Sequence, residues 1–484
     1  MDLTRVIAML RSEFPYDPTD GQDKLLGELA VFLTLSWKQP NALFILRGYA
    51  GTGKTTVVKA LVDVLPQIGK KTALLAPTGR AAKVLTSYTK KQANTIHRKI
   101  YLARTNKDGL IDLKLQVNYH KHTLFIVDEA SMIQHTMSAD GALFSSRNLL
   151  DGLFRVVYSG EECRMLFIGD AAQLPPVGLD YSPALDHEFL QRNYHLSIDT
   201  FELTEVVRQA RESGILVNAT QVRRQIQEQK TSFPMFSTLG YRDIIRLNGQ
   251  ELEEALNHAY SGREKENNVV ICRSNKRANI YNQEIRRRIL FLDEEICTGD
   301  YLMVVKNNYF WLPVESAAGF VANGDIVELM RIRNIEELYG FRFADVTIRF
   351  IDYPDEKDLD VKILLDTLMS ESAALTQPDN NRLFQAVMAD FQDVPSRRER
   401  LEKVKASPYF NALQVKFAYA LTCHKTQGGQ WESVFIDQGY LNDKMVNIEF
   451  SRWLYTAVTR ATRRLYLVNF EERFFSTVPT TLTE

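Results

Sequence analysis

The stretch Gly48-Tyr49-Ala50-Gly51-Thr52-Gly53-Lys54-Thr55 follows an apolar run, Ala42-Leu43-Phe44-Ile45-Leu46, and opens a helical pattern that continues from Thr56 to Leu65. Glycines at 48, 51 and 53 let the backbone wrap an anion, while loop amides and the helix N-terminus supply positive potential. The spacing is that of a complete phosphate-binding loop in the strand–loop–helix setting the motif requires. Gly48, Ala50, Gly51, Thr52, Gly53, Lys54, Thr55 and Thr56 are therefore the candidate contacts for a nucleoside triphosphate, ATP. Lys54 is expected to reach the β and γ phosphates, and the Thr55 hydroxyl to ligate Mg2+.

Outward from this loop, strand-like runs alternate with helical ones: Thr72-Ala-Leu-Leu-Ala76, Gly79 to Thr86, Thr123-Leu-Phe-Ile-Val127 and Arg164-Met-Leu-Phe-Ile168. Continuous apolar strands between helices predict an α/β fold, a parallel sheet covered on both faces, with chemistry at the strand carboxyl ends. A second set at Asn268 to Cys272, Ser433 to Ile436 and Arg464 to Val468 predicts another such unit. From about 325 to 415 the pattern changes to short alternating stretches such as Ala344 to Ile351, then to a charged helical region, which predicts an inserted, partly β subdomain.

Two further strand ends carry chemistry. Leu124-Phe-Ile-Val127 runs into Asp128-Glu129, where Asp128 is placed to hold the metal and Glu129 to orient and deprotonate an attacking water. Met165 to Ile168 runs into Gly169-Asp170-Ala-Ala-Gln173-Leu-Pro-Pro-Val, where the neutral amide of Gln173 suits sensing of the γ phosphate.

The Gly169 to Val177 segment resembles the third motif of superfamily 1 helicases of the RecD-like group, which includes the phage Dda and PIF-type enzymes. The resemblance extends along nearly the whole chain. Pro18 to Gln22 looks like the adenine-reading segment, with Gln22 as its reader. Ala76-Pro77-Thr78-Gly79-Arg80-Ala81-Ala82 and Asn94-Thr95-Ile96-His97 match the next motifs, Glu202 to Gln209 resembles the segment whose arginine contacts the γ phosphate, and Phe417 to Gly428 and Leu454 to Ala461 match the last two. The resemblance implies two RecA-like lobes, with Arg208 and Arg460 as charge-neutralising catalytic groups beside Lys54, Glu129 and Gln173. It adds Gln427 and Gly428 to the nucleotide contacts. It also implies a single-stranded DNA track over Pro77, Thr78, Arg80, Thr95 and His97 in the first lobe and His424, Lys425 and Thr426 in the second, gripping backbone phosphates.

The expected layout is a first lobe over 1–195, with a small insertion at 97–122 carrying Tyr101 and Tyr119 as candidate strand-separating wedges. A second lobe covers 196–325 and 413–484, around an SH3-like insertion at 326–412. The implied activity is ATP-driven movement on single-stranded DNA, 5'-to-3' by resemblance alone, with unwinding of tailed duplex. An ATP-gated nucleic-acid-binding protein without unwinding and an RNA-directed motor are the alternatives.

Composition constrains this reading without deciding it. At 484 residues the chain is too long for one core, and 45% hydrophobic with 25% charged residues excludes a disordered or fibrous chain. A net charge of −1 means that any nucleic acid must bind a local groove. Cys163, Cys272, Cys297 and Cys423 lack metal-ligand spacing, which predicts reduced structural thiols. No apolar run approaches the roughly 20 residues of a membrane span. A cytoplasmic monomer, with replication or repair proteins as partners, is the expectation. Pro354-Asp355 with Asp360-Val-Lys362 fits a nuclease outline only loosely, the gap being too short, and is set aside.

Overall fold

The computed structural model describes the chain apart from residues 1, 35–36, 38–40, 106–110, 136–147, 208–211, 263, 313–315, 317–319 and 476–484. β1 (Ala42–Gly48), β2 (Lys71–Ala76) and β3 (Ala93–Thr95) precede an antiparallel hairpin of β4 (Tyr101–Thr105) and β5 (Ile111–Leu115). β6 (Thr123–Val127), β7 (Arg164–Gly169) and β8 (Ser197–Leu203) complete a parallel sheet in the order β3-β2-β6-β7-β1-β8. Helices cover both faces, so successive residues of β1 enter different cores: Phe44 and Leu46 on one side with Val58, Leu61 and Leu85, Leu43 and Ile45 on the other with Phe125, Leu153 and Phe167.

The second lobe begins with β9 (Ile244–Leu247) and β10 (Asn268–Cys272). The chain then enters a closed barrel of β11 (Tyr301–Val304), β12 (Ile326–Leu338), β13 (Phe341–Phe350), β14 (Leu359–Leu364) and β15 (Leu413–Phe417). It returns through β16 (Ala420–Thr422), β17 (Trp431–Asp437) and β18 (Ala461–Val468) to complete a parallel sheet in the order β16-β10-β17-β18-β9. The molecule is thus α/β, with two parallel-sheet lobes and a barrel inserted in the second. Among the described residues no helix is long and apolar enough to cross a membrane. All four cysteines are free thiols.

Two expected boundaries are corrected. The first sheet does not end at 195: β8 pairs with β1 from Ala42↔Ser197 to Gly48↔Leu203. Its sequence, Ser-Ile-Asp-Thr-Phe-Glu-Leu, is largely exposed because it forms the sheet edge, so apolarity gives no sign of it. The barrel is also wider than 326–412, because β11 pairs with both β12 and β15 and so closes it from outside that range. The charged helical region forms helices Gln377–Ala389 and Arg397–Lys405. They bury Leu383, Val387 and Val404 against Phe341 and Phe343, a small core of their own on the long β12–β13 hairpin.

The nuclease-like outline is occupied by barrel ion pairs. The Asp360 carboxylate accepts from Arg333 at 2.6 Å, while Lys362 lies between Glu336 at 2.6 Å and Asp345 at 2.8 Å. No cluster of three metal-ligating side chains occurs among the described residues.

A buried ion pair ties the second sheet to the barrel. Arg286 donates to both oxygens of Asp300, at 2.8 and 2.9 Å, and Asp300 also accepts from the Cys297 amide and the Tyr419 hydroxyl. Arg286→Ala leaves a buried carboxylate without its cation, which should lower unfolding stability by about 3–5 kcal/mol. Urea unfolding followed by circular dichroism measures this, and an unchanged midpoint would contradict the role.

Candidate nucleotide site and strand track

The phosphate-binding loop leaves β1 and enters helix Lys54–Val64 through two left-handed glycines, Gly51 at φ 75° and Gly53 at φ 84°. At Gly48 an added Cβ would lie 2.8 Å from Lys54 Cγ, so the loop needs glycine there to let the lysine fold past it. Lys54 Nζ donates to the carbonyls of Gly48 and Tyr49, at 2.5 and 2.9 Å. Thr52 is buried and donates to the Tyr49 carbonyl; Thr55 is exposed on the first helical turn. A glycine cradle with a lysine folded over its own carbonyls fits a triphosphate, whose oxygens offer that ammonium a stronger acceptor.

Gln22 is buried, but its amide braces the loop. Nε2 donates to the Thr52 carbonyl at 3.0 Å and Oε1 accepts from Thr19 N at 3.0 Å. A side chain at Gly53 would collide with this amide at 2.3 Å. The structure therefore assigns Gln22 to loop support.

Asp128 ends β6 with both carboxylate oxygens engaged, one by the Glu129 amide at 2.9 Å and the other by the Tyr88 hydroxyl at 2.8 Å. Glu129 takes a left-handed backbone, φ 52°, which turns its side chain toward the second lobe. Burial raises the carboxyl of Glu129 above the usual range, and the guanidinium of Arg460 opposes the rise. A basic carboxylate is what proton abstraction from water requires. Arg460 lies 3.9 Å from Glu129 and is oriented by the carbonyls of Thr456 and Gly429.

The third-motif loop meets helix Ile448–Val458 directly. Leu174 N donates to Thr456 Oγ1 at 2.8 Å, and Arg452 donates to the carbonyls of Ala171 and Gln173. Tyr455 is the group that sequence reading left without a role. Its hydroxyl accepts from the Ala50 amide of the phosphate loop at 2.9 Å and donates to Asp170 at 2.6 Å, so one second-lobe atom joins two first-lobe motifs. Tyr49 is a second such residue, held by Glu202 and Gln227 beneath the Arg223 guanidinium. Both stood inside quoted segments; only contacts across some hundreds of residues reveal them. Gln173 is buried, and its Oε1 has no hydrogen-bond partner among the described residues, an acceptor suited to a ligand's donor. Arg208 lies outside the described residues, but Val207 N donates to the Gly51 carbonyl at 2.9 Å, so its segment docks on the loop.

The strand-track candidates divide into two groups. Thr78 caps helix Gly79–Thr89 and Thr95 caps helix Ile96–Ile100, each accepting a backbone amide at 3.2 Å and retaining a hydroxyl hydrogen. Pro77 precedes the first cap. His97 packs edge-on to Phe320, and burial pushes its imidazole down to about 4, so it is neutral at physiological pH. Arg80 is committed elsewhere: its guanidinium stacks 4.1 Å over Trp431 and donates to the carbonyls of Glu266 and Gln430, pinning the two lobes together.

On the second lobe, Thr426 is buried and donates to the Cys423 carbonyl. His424 is half-buried. Lys425 Nζ is buried with no hydrogen-bond partner among the described residues, and burial beside Lys416 pushes it down to about 7. Gln427 and Gly428, expected at the nucleotide, make contacts with the third-motif loop and with the first turn of helix Gly79–Thr89. Gln427 donates to the Leu174 carbonyl at 2.6 Å, and a Cβ on Gly428 would meet Ala81 and Thr78, placing it between the two halves of the track. Of the wedge candidates, Tyr101 packs beside His97 and Gly152, while Tyr119 is 86% exposed, beyond the hairpin.

Removing one hydroxyl isolates the lobe contact. Tyr455→Phe leaves Ala50 N–H and Asp170 short of a partner, and the closed arrangement should lose about 1–3 kcal/mol. Fluorescence energy transfer between dyes on the two lobes should then report longer distances. An unchanged distance distribution would contradict the contact's role.

Residues 33–247 match the family model described as an AAA domain, and residues 417–468 that of a UvrD-like helicase C-terminal domain. The ATP-dependent DNA helicase dda of Enterobacteria phage T4 is 25% identical over 453 residues, covering 87% of this chain and 93% of that protein. The ATP-dependent RecD2 DNA helicase of Deinococcus radiodurans is 33% identical over 182 residues, 36% of this chain and 21% of that one. A Pif1 helicase from Bacteroides, solved with ADP-AlF3 and single-stranded DNA, aligns over 93% of this chain and 94% of its own at 14% identity and a TM-score of 0.44. With both lobes' motifs matched along one chain, it belongs to the superfamily 1 helicases of the RecD-like group.

Proposed function

We propose that the protein is an ATP-dependent DNA helicase that moves 5'-to-3' along single-stranded DNA by opening and closing the cleft between its lobes. One observation carries the reading: helix Ile448–Val458 and the turn after it place Tyr455 on the phosphate loop and Arg460 beside Glu129. Hydrolytic machinery is thereby divided between the lobes, as a motor needs and a passive binding module does not.

The chain's own groups supply the steps. Lys54 exchanges the Gly48 and Tyr49 carbonyls for the β and γ phosphates, while the loop amides hold them. Glu129 orients a water and takes its proton on the carboxylate, and Arg460, with Arg208, neutralises charge gathering on the phosphoryl group. Thr55 and Asp128 are the groups to hold Mg2+, and a single protein carboxylate suits an ion that keeps most of its waters. When bound, the ion would offset the charge of the phosphates. Thr78 and Thr95 on one lobe and Lys425 on the other contact strand phosphates, and relative movement of the lobes shifts one set against the other.

Three outcomes test this. ATP hydrolysis should rise on adding oligothymidylate, fall to background in Lys54→Ala and be lost in Glu129→Gln with nucleotide binding retained; a rate indifferent to DNA favours a latch, and equal stimulation by RNA favours an RNA motor. A duplex with a 5' tail should unwind and one with only a 3' tail should not; the reverse sinks the polarity. Because Lys425 grips phosphate only when protonated, affinity for single strands should weaken as pH rises through about 7, and Lys425→Met should flatten the dependence. A slope in binding assays that is identical in that variant would assign the effect to another group.

A further inference from the structure

Tyr49 belongs to the phosphate loop, yet its side chain is buried outside the first lobe. It shares an apolar cluster with Ala219, Val222 and Ile226 of helix Gly214–Gln227, whereas Phe44 and Ile45 of the preceding strand lie in the two first-lobe cores. Helix Gly214–Gln227 packs in turn on helix Ile448–Val458 of the second lobe. The Tyr49 hydroxyl donates to Glu202 and accepts from Gln227 Nε2 at 2.9 Å. One turn earlier on the same helix, Arg223 lays its guanidinium 4.4 Å over the ring. Arg223 is buried, donates to the Thr204 carbonyl at 3.3 Å and has no partner for Nε among the described residues, so the electron-rich ring face is a main counterpart of this cation. The Tyr49 carbonyl meanwhile accepts from Lys54 Nζ at 2.9 Å and from Thr52 Oγ1 at 2.8 Å. One loop residue is thus held through its side chain by the second lobe and through its carbonyl by the lysine that meets phosphate.

We propose that Tyr49 is a positioning residue for the phosphate loop: clamped by Arg223 and Gln227, its side chain lets the second lobe fix the loop's shape and with it the affinity for nucleotide. This rests on the functional reading above, in which the loop takes the triphosphate. When Lys54 turns to the phosphates it gives up the Tyr49 carbonyl, so the loop at this residue keeps Thr52 and the side-chain clamp. A loop already ordered at that point loses less freedom around its ligand, and freeing one such side chain lowers affinity by about 2–10-fold. The clamp touches none of Lys54, Glu129 and Arg460. Its removal therefore weakens the bound ground state and the transition state alike, which raises KM and spares kcat.

Tyr49→Leu keeps an apolar side chain in the cluster and removes ring and hydroxyl. Titration with a fluorescent ADP analogue gives nucleotide affinity, steady-state ATPase with oligothymidylate gives kcat and KM, and the urea midpoint reports folding. In Tyr49→Leu both Kd and KM should rise about 3–10-fold while kcat changes by less than about twofold. Arg223→Met should act in the same direction, and Arg223→Lys should keep most of the affinity because an ammonium is also drawn to the ring face. Arg223→Met added to Tyr49→Leu should cost nothing further, since its ring partner has already gone. Tyr49→Phe, which keeps the ring under Arg223, should fall between wild type and Tyr49→Leu, and carries the comparison if Tyr49→Leu does not fold. A lowered urea midpoint with unchanged Kd means that Tyr49 only packs and overturns the proposal, as does a fall in kcat at constant KM. Losses that add in the double variant overturn the clamp by Arg223. Because the ADP titration needs neither hydrolysis nor DNA, the stated shifts in a protein whose ATPase ignores DNA would support the role of Tyr49 while sinking the motor reading.

Discussion

The hydroxyl of Tyr455 occupies the one point where the phosphate loop, the third-motif loop and the second lobe meet, accepting from Ala50 N and donating to Asp170. Further contacts across the cleft are made by the helix that carries it and the turn beyond. Leu174 and Gln173 rest on Thr456 and Arg452, and Arg460, two residues beyond the helix end, faces Glu129. A hydroxyl buried between a donor and an acceptor has little freedom to tolerate a shift, because loss of either partner leaves a polar group unpaired in a dry site. The nucleotide site is consequently not a property of the first lobe alone. Its electrostatics depend on whether the second lobe is in place, and that dependence links chemistry to motion.

Close approach elsewhere in the cleft relies on small residues. Gly79 admits the barrel's Asp325 and Tyr353, and Gly428 admits Thr78 and Ala81. Gly428 has φ 72°, a second reason for glycine at that point. Arg80 fills the remaining gap by stacking on Trp431. The barrel therefore touches the first lobe along the first turns of helix Gly79–Thr89.

Much of this was legible in the sequence, for a definite reason. Strands buried on both faces are apolar throughout, and the runs beginning at Ala42, Thr123, Arg164 and Asn268 correspond to β1, β6, β7 and β10. Phosphate chemistry likewise demands local residue patterns, so Lys54 opens the helix after β1, and Asp128 and Glu129 follow β6 directly, where their motifs predict. What stayed hidden depends on distant partners. β8 is a polar edge strand recruited by backbone pairing with β1, and β11 and β15 join a barrel through one another across more than a hundred residues. Arg80 has the form of a phosphate contact but is satisfied by Trp431, and Gln22 has that of a base reader but holds Thr52. Tyr88 and Tyr455 carry no signal of their own, since a tyrosine in a helix most often only packs.

The account's central claim is that hydrolysis across this cleft moves the protein along a strand. Stopped-flow translocation on oligothymidylates of increasing length, each with a fluorophore at one end, measures that movement without requiring unwinding. The delay before the signal from a 3'-end fluorophore should grow in proportion to length in the presence of ATP. A delay independent of length would mean that ATP only latches the protein onto DNA, and would contradict the account.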